Sequence, residues 1–328
     1  MYRLRMNWPR LAATPLPGAL AFTFAWALAA SPLAAGPVTV NDSNGRTVTI
    51  SDSERVISAG GSVTEILYAL GLADRIIAVD STSRYPAGAL EAKPDIGYLR
   101  ALSAEGLLSV SPSLILAEAD AGPPETVSIL QKASVPFVSV PAAMDATGVA
   151  DKIRFIANAM DVSERGENLA SNVTADLATI AAAVSTATDR PRALFILSLS
   201  GGRILAAGAD TSAAAMIELA GGTNALAGFS GYKPINDEAI IEAAPEIIIM
   251  MARGDHRAES AEVFSQPALA RTPAAQSQRL VRMDGLYLLG FGPRIAHAVR
   301  DLATALHPGL DLPSLTERSW AVSEAGSR

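Results

Sequence analysis

The sequence predicts an α/β protein of two parallel-sheet-containing lobes joined by one long helix, with a cleft between the lobes. Three observations carry this. Short apolar runs alternate with helical patches from Arg55 to Pro141, the pattern of strand–helix–strand units in a helix-covered parallel sheet. Strand signals vanish from about Asp145 to Ala187, where helical periodicity takes over. The alternation restarts after Pro191. The predicted organisation is a leader over 1–35, an N-terminal lobe over 36–144, a helical linker over 145–188, a C-terminal lobe over 189–308 and a polar, poorly ordered tail over 309–328.

Each element has its own warrant. Arg3, Arg5 and Arg10 precede an apolar run that ends in small residues, which reads as a secretory signal cut near Ala35 rather than a membrane anchor. RVISAG (55–60) reads as a strand. The next helix places Val63, Ile66, Leu67 and Leu70 on one face and is stopped by Gly71. RIIAVD (75–80) is a strand, and Ser103 is placed to cap the helix SAEGLLSV (103–110). SLILAE (113–118) is a strand, ETVSILQKAS (125–134) a helix and PFVSVP (136–141) a strand. Two helices follow, 146–160 and an unusually long one over 163–186. In the second lobe ALFILSL (193–199), EIIIMMA (246–252) and RLVRMD (279–284) read as strands. TSAAAMIELAGG (211–222), DEAIIEAAP (237–245) and GPRIAHAVRDLATALHP (292–308) read as helices. The only connection expected between the lobes is the long helix, a stiff bridge that limits hinge motion.

Composition excludes several classes. A chain of 328 residues, 49% hydrophobic, has room for a real core. A net charge of −7 argues against a nucleic-acid partner, because phosphate binding needs concentrated positive charge. The absence of cysteine leaves no disulfide framework and no site for a lipid anchor after the leader. A free periplasmic protein, monomeric, is the expectation. The glycines after Ser200 and around Phe291 complete no nucleotide-binding fingerprint and read as turns.

Two segments stand out. KPDIGYLRALSAEGLL (93–108) puts Tyr98 and Arg100 two residues apart in a loop before a helix. AGGTNALAGFSGYKPINDEAII (220–241) carries a second glycine-rich loop with Tyr232 and Lys233. Taken alone, Tyr98 also reads as a packed loop tyrosine with its hydroxyl hydrogen-bonded. With RVISAGGSVTEILYALGLADRIIAVDSTSRYP (55–86), these segments resemble the periplasmic haem-binding proteins of bacterial haem ABC importers, a helix-linked two-lobe family. The resemblance runs from Arg55 to about Pro308.

What the resemblance implies is specific. Haem is the cargo, held between the lobes, and Tyr98 is the axial ligand of its iron. A phenolate is a hard anionic donor suited to ferric iron. A free phenol titrates near ~10, and metal coordination and a neighbouring guanidinium both favour its ionised form. Arg253, ending a second-lobe strand, is preferred as the partner of that phenolate, with Arg100 fixing the loop or meeting a propionate. Lys233 could reach a propionate as a mobile charge, Tyr232 could stack on the porphyrin, and Arg84 and Tyr85 could line the first-lobe wall. A histidine that some members supply falls at or near Leu199 and is absent here. His256, His297 and His307 read as surface or satisfied histidines, and Met250 and Met251 as core.

The resemblance also implies partners. An ABC permease dimer with its cytoplasmic ATPase would take the cargo, and an outer-membrane haem receptor would supply it indirectly. Glu105 and Glu238 fall where the family docks on the permease, each in the first turn of a helix, where a carboxylate is also favoured by the helix dipole alone. Two other functions compete: capture of cobalamin or a ferric siderophore on the same fold, and a chelatase-type enzyme, for which three scattered histidines are a poor endowment.

Overall fold

Two β-sheets flank a set of packed helices in the computed structural model, which describes residues 36–252 and 260–321. The leader therefore lies outside the described residues. The described residues begin with an antiparallel hairpin, β1 (Val38–Asn41) and β2 (Thr47–Ile50), which the sequence did not suggest. Then come β3 (Val56–Ala59), α1 (Gly61–Ala69), β4 (Ile76–Val79), α2 (Ala89–Ala92), α3 (Ala104–Ser109), β5 (Leu114–Glu118), α4 (Pro124–Lys132) and β6 (Phe137–Val140). The four strands β3 to β6 form a parallel sheet in the order β4-β3-β5-β6. Its strands read as near-continuous apolar runs because both faces are covered. Ile57, Ala59, Ile115 and Ala117 face an outer core with Leu99, Leu102 and Leu107, while Val56, Leu114 and Leu116 face an inner one.

The linker is α5 (Ala146–Ala159), capped by Asp145, whose side chain accepts from the Gly148 amide at 2.7 Å, followed by α6 (Ser163–Val184). Leu169, Val173, Leu177, Ile180 and Val184 form the buried stripe of α6 at helical spacing. The two helices approach closely at Gly166, where an added Cβ would fall 2.2 Å from that of Ala157.

The second half comprises β7 (Arg192–Ser200), β8 (Arg203–Ala207), α7 (Ser212–Leu219), β9 (Thr223–Asn224), β10 (Tyr232–Ile235), α8 (Asp237–Ala243) and β11 (Ile247–Ala252). After the undescribed segment come α9 (Ser260–Phe264), α10 (Pro273–Gln276), β12 (Leu280–Asp284), α11 (Gly285–Leu289) and α12 (Ile295–Leu306). The sheet is ordered β10-β8-β7-β11-β12, with β9 beside β7. β7, β11 and β12 run parallel, as expected, whereas β8 and β10 are antiparallel additions. The glycines after Ser200 do form a turn: Gly201 and Gly202 take φ of 55° and 75° between β7 and β8, a conformation that favours glycine.

The covalent crossover through α6 is as predicted, but it is not the only physical link. One inner core contains Val56 and Leu116 of the first sheet, Phe195 and Ile249 of the second, and residues of α5, α6 and α12 between them. The tail corrects a second expectation. Over 309–321 it is packed, not loose: Leu312, Leu315 and Trp320 lie on the inner core, and Arg318 pairs with Asp176 of α6 at 3.1 Å. Three apolar side chains at intervals along a polar segment were the overlooked signal. No helix among the described residues is long and apolar enough to cross a membrane.

Candidate functional site

The loop that carries Tyr98 is pinned on both sides. Before it, the Ile96 amide donates to the Val79 carbonyl at 2.9 Å and the Ser81 amide to the Gly97 carbonyl at 2.9 Å. After it, a single 3₁₀ turn over Leu99–Ala101 leads to Leu102, whose amide donates to the Gly122 carbonyl at 2.8 Å. Leu99 and Leu102 are buried in the outer core, so the residue between Gly97 and Leu99 is turned outward. Gly97, at φ 90°, supplies the left-handed turn a side chain would resist. Tyr98 is 44% exposed, one of few large side chains so presented.

Arg100 grips that side chain. Its Nη1 donates to the Tyr98 phenol oxygen at 2.5 Å, and its Nη2 pairs with the Asp120 carboxylate beyond the end of β5. Burial pulls the guanidinium down, but Asp120 and Tyr98 together outweigh it and hold the value above that of ordinary arginine. The phenol oxygen thus accepts from a fixed cation and keeps lone-pair capacity for an electrophile such as a metal ion. Among the described residues the guanidinium on Tyr98 is that of Arg100; Arg253 and His256 lie outside them.

Tyr232 comes from the second sheet. It is 37% exposed and packs edge-on against Phe195, ring centroids 6.4 Å apart. Burial pushes its phenol up, opposed in part by Thr211, the Ala213 backbone and the positive charge of Arg100, which reaches it from the other half of the molecule. Lys233, one residue on, belongs elsewhere. Its ammonium lies over the Phe229 ring at 5.5 Å, in a groove against α8, as the alternation of a β-strand requires. Met250 packs on the core of the second half and Met251 on the inner core shared by both halves, and Leu199 is a strand residue paired with Ile204.

Two cavities are lined from both halves, and each has one wall residue bonded to the Tyr98 loop: Ser81 to Gly97, and Asp120 to Arg100. One of about 280 Å³ is walled by Asp120, Pro141, Met144 and Lys152 on one side and by Ser212 and Leu289 on the other. The other, of about 760 Å³, is lined by Arg84 and Tyr85 facing Tyr287, Arg294, His297 and Arg300. Arg294, which the sequence reading passed over, organises this second wall. It chelates Glu65 of α1 through Nε and Nη2 at 3.1 and 3.0 Å, and its guanidinium carbon stands 3.4 Å from the Tyr85 ring centroid and 5.1 Å from that of Tyr287. The Tyr85 hydroxyl donates to the Trp320 carbonyl at 3.1 Å, bringing the tail to the same place.

Lys152 of α5 was also overlooked. It is 4% exposed and donates to the Ser62 hydroxyl at 2.8 Å and to the carbonyls of Gly290 and Phe291 at 3.4 Å, tying the two halves together. Burial lowers its affinity for a proton, against the pull of Glu118, Glu65 and Asp120. A lysine on the apolar stripe of Val149, Ile153 and Ile156 was the signal available.

The histidines depart from expectation. The Nδ1 of His297 and the Nε2 of His307 are buried without a hydrogen-bond partner among the described residues, so neither ring is fully satisfied. Burial, then the Arg300 charge, pushes His297 down, against the opposing pull of Asp176 and Asp301. Glu105 and Glu238 are both exposed in the first turns of α3 and α8, behind the caps Ser103 and Asn236, and neither joins an ion pair among the described residues. No group of three or more His, Asp or Glu side chains among the described residues converges as a metal cluster.

A two-lobed fold with a cleft lined from both sheets defines a class of substrate-binding protein, and the chain belongs to the periplasmic binding protein family, whose pattern it matches over residues 56–286. Among solved structures it is similar to the periplasmic heme-binding protein BhuT in complex with two hemes: 38% identity, 78% of this chain and 99% of that one, TM-score 0.74. It is 26% identical to the ABC transporter substrate-binding lipoprotein YvrC of Bacillus subtilis over 83% of this chain and 86% of that protein. It is also 26% identical to the cobalamin-binding protein of Halobacterium salinarum, over 83% and 74% of the two chains.

Proposed function

We propose that this chain captures ferric haem between its lobes, 36–144 and 189–308, through the Tyr98 phenolate, and delivers it to an ABC permease. The observation that carries the reading is the outward-turned Tyr98 oxygen held by Arg100, itself anchored on Asp120. A porphyrin brings four nitrogen donors of its own, so one hard oxygen ligand suffices where the described residues form no side-chain metal cluster. Tyr232 stands across the cleft as an aromatic surface for the ring. Arg100 takes the role of phenolate partner. Glu105 and Glu238, one on each lobe, dock on the permease. The protein works as a free periplasmic monomer once the leader over 1–35 is removed.

A second reading, cobalamin capture, is favoured by the cobalamin-binding relative at 26% identity. One titration separates the two. Ferric haem added to the mature protein is expected to give a tyrosinate-to-iron charge-transfer band that Tyr98→Phe abolishes. Retention of that spectrum and affinity in Tyr98→Phe, or tight binding of cyanocobalamin in place of haem, overturns the proposal.

A further inference from the structure

The larger cavity, about 760 Å³, holds more charge than cargo capture at Tyr98 uses. Its acids are mostly committed: Asp284 caps α11 by accepting from the Tyr287 amide at 2.9 Å, and Asp301 accepts from the Tyr287 hydroxyl at 2.8 Å. Glu91 is the remaining acid on the wall. Among the cations Arg294 is taken up by Glu65. Among the described residues Arg300 pairs with its chain neighbour Asp301, a partly exposed pair of small worth. Arg84 is exposed and joins no ion pair among the described residues. His297 adds a buried Nδ1 without a partner. Two guanidinium groups, one from each half of the molecule, therefore line the cavity with donors to spare.

The cavity is one hydrogen bond away from the loop of Tyr98, the proposed iron ligand. Ser81, on its wall, donates to the carbonyl of Gly97, the residue before Tyr98. On the other side of the loop, Arg100 pairs with Asp120, which lines the smaller cavity beside Pro141, Met144 and Leu289. The Tyr98 loop is thus bonded to the walls of both spaces, one with Arg84 and Arg300 among its lining, the other with Met144 and Leu289 beside Glu118, Asp120 and Lys152.

We propose that the larger cavity is the carboxylate subsite of the cargo: Arg84 and Arg300 bind its ionised propionate arms, and its apolar edge turns toward Met144 and Leu289. Guanidinium matches carboxylate geometry in two parallel hydrogen bonds. A cobalamin offers neutral amide arms and a single anionic phosphodiester in its nucleotide loop, so two arginines placed for paired carboxylates select for a dianionic porphyrin. The inference rests on haem as the cargo.

Binding of ferric haem and of ferric haem dimethyl ester to the full mature chain tests it. The wild-type protein is expected to prefer the free acid by about tenfold or more. Arg84→Ala with Arg300→Ala should erase that preference while the charge-transfer band from Tyr98 persists; Arg84→Lys with Arg300→Lys should retain part of it. Equal wild-type affinity for acid and ester, or a preference that survives the double alanine change, overturns the subsite while leaving haem capture standing. A wild-type protein that binds neither form refutes the haem reading itself, and the subsite with it.

Discussion

Arg294 chelates Glu65 across the two halves of the molecule, with the carboxylate only 3% exposed. The pair fixes α1 of the first lobe to the start of α12, and Tyr85 and Tyr287 stack on the same guanidinium. Removing one partner strands a buried charge. Arg294→Met is expected to lower the stability of unfolding by about 3–5 kcal/mol, and Glu65→Leu in the same background to recover much of it. Urea denaturation measures both. A loss below about 1 kcal/mol, the range of exposed pairs, would show that solvent reaches the carboxylate.

Arg100 is the lever on Tyr98. Its hydrogen bond to the phenol oxygen stabilises negative charge there, so Arg100→Ala is expected to weaken ferric haem binding about tenfold or more. The charge-transfer band should also move, which loss of a merely loop-fixing residue would not cause. Asp120→Asn should act in the same direction and more weakly, since it frees the guanidinium without removing it. An Arg100→Ala protein with unchanged band and affinity would return the role of phenolate partner to another group.

The parts of this fold legible in the sequence were those with period and punctuation. Parallel strands such as Val56–Ala59 and Leu114–Glu118 show as apolar runs between helical patches, and Ser103 marked its helix start. Short antiparallel strands did not show: the Gly201–Gly202 turn was legible but not the strand Arg203–Ala207 that it folds back on β7, and Tyr232–Ile235 owes its pairing to β8, across a long connection. In the site, Tyr98 and Arg100 are two residues apart in the chain and hence visible together. Glu65 and Arg294 are 229 residues apart, and only folding brings them together. Lys233 was misplaced because a strand turns successive side chains to opposite faces, and the strand itself had not been seen.

Lys152 gives the fold a pH signature. Its native proton affinity is lowered by burial, whereas in the unfolded chain it returns to the ordinary value of 10.5. Between the two values the unfolded state binds more protons, so this residue makes stability rise with pH through that window. Below the native value both states are protonated and the full cost of burying the charge remains. The stability of wild type relative to Lys152→Met should therefore shift in favour of wild type as pH is raised toward 10.5. Paired thermal melts from pH ~7 upward follow it; parallel curves would mean that Lys152 stays charged throughout.

Docking and capture should separate cleanly. Glu105 and Glu238 are exposed in the first turns of α3 and α8, away from the residues that line either interlobe cavity. Glu105→Ala with Glu238→Ala is expected to leave haem affinity unchanged and to cripple uptake by cells that depend on the importer. Rim charges set orientation and encounter rate more than affinity, so single variants should show partial defects. Loss of haem binding in the double variant would place these acids in the cargo site or the fold.

The tail makes a test of how the lobes are held. Residues 309–321 run from the second lobe over α6, where Arg318 meets the buried Asp176, and end at Tyr85 of the first lobe through the Trp320 carbonyl. The strap thus spans both lobes and closes one side of the larger cavity, where Ala321 joins the wall. Arg318→Ala leaves Asp176 without its ion-pair partner and should cost about 1–3 kcal/mol, less than a fully buried pair because the guanidinium is partly exposed. Deleting 309–328 should cost more, since Leu312, Leu315 and Trp320 also leave the core. With the strap gone, haem should dissociate faster at little change in association rate, because the Tyr98 loop lies outside the strap's contacts. Stopped-flow displacement by a competing haem acceptor reads the rate. An unchanged rate in a folded truncation would show that α5, α6 and α12 alone set the spacing of the lobes.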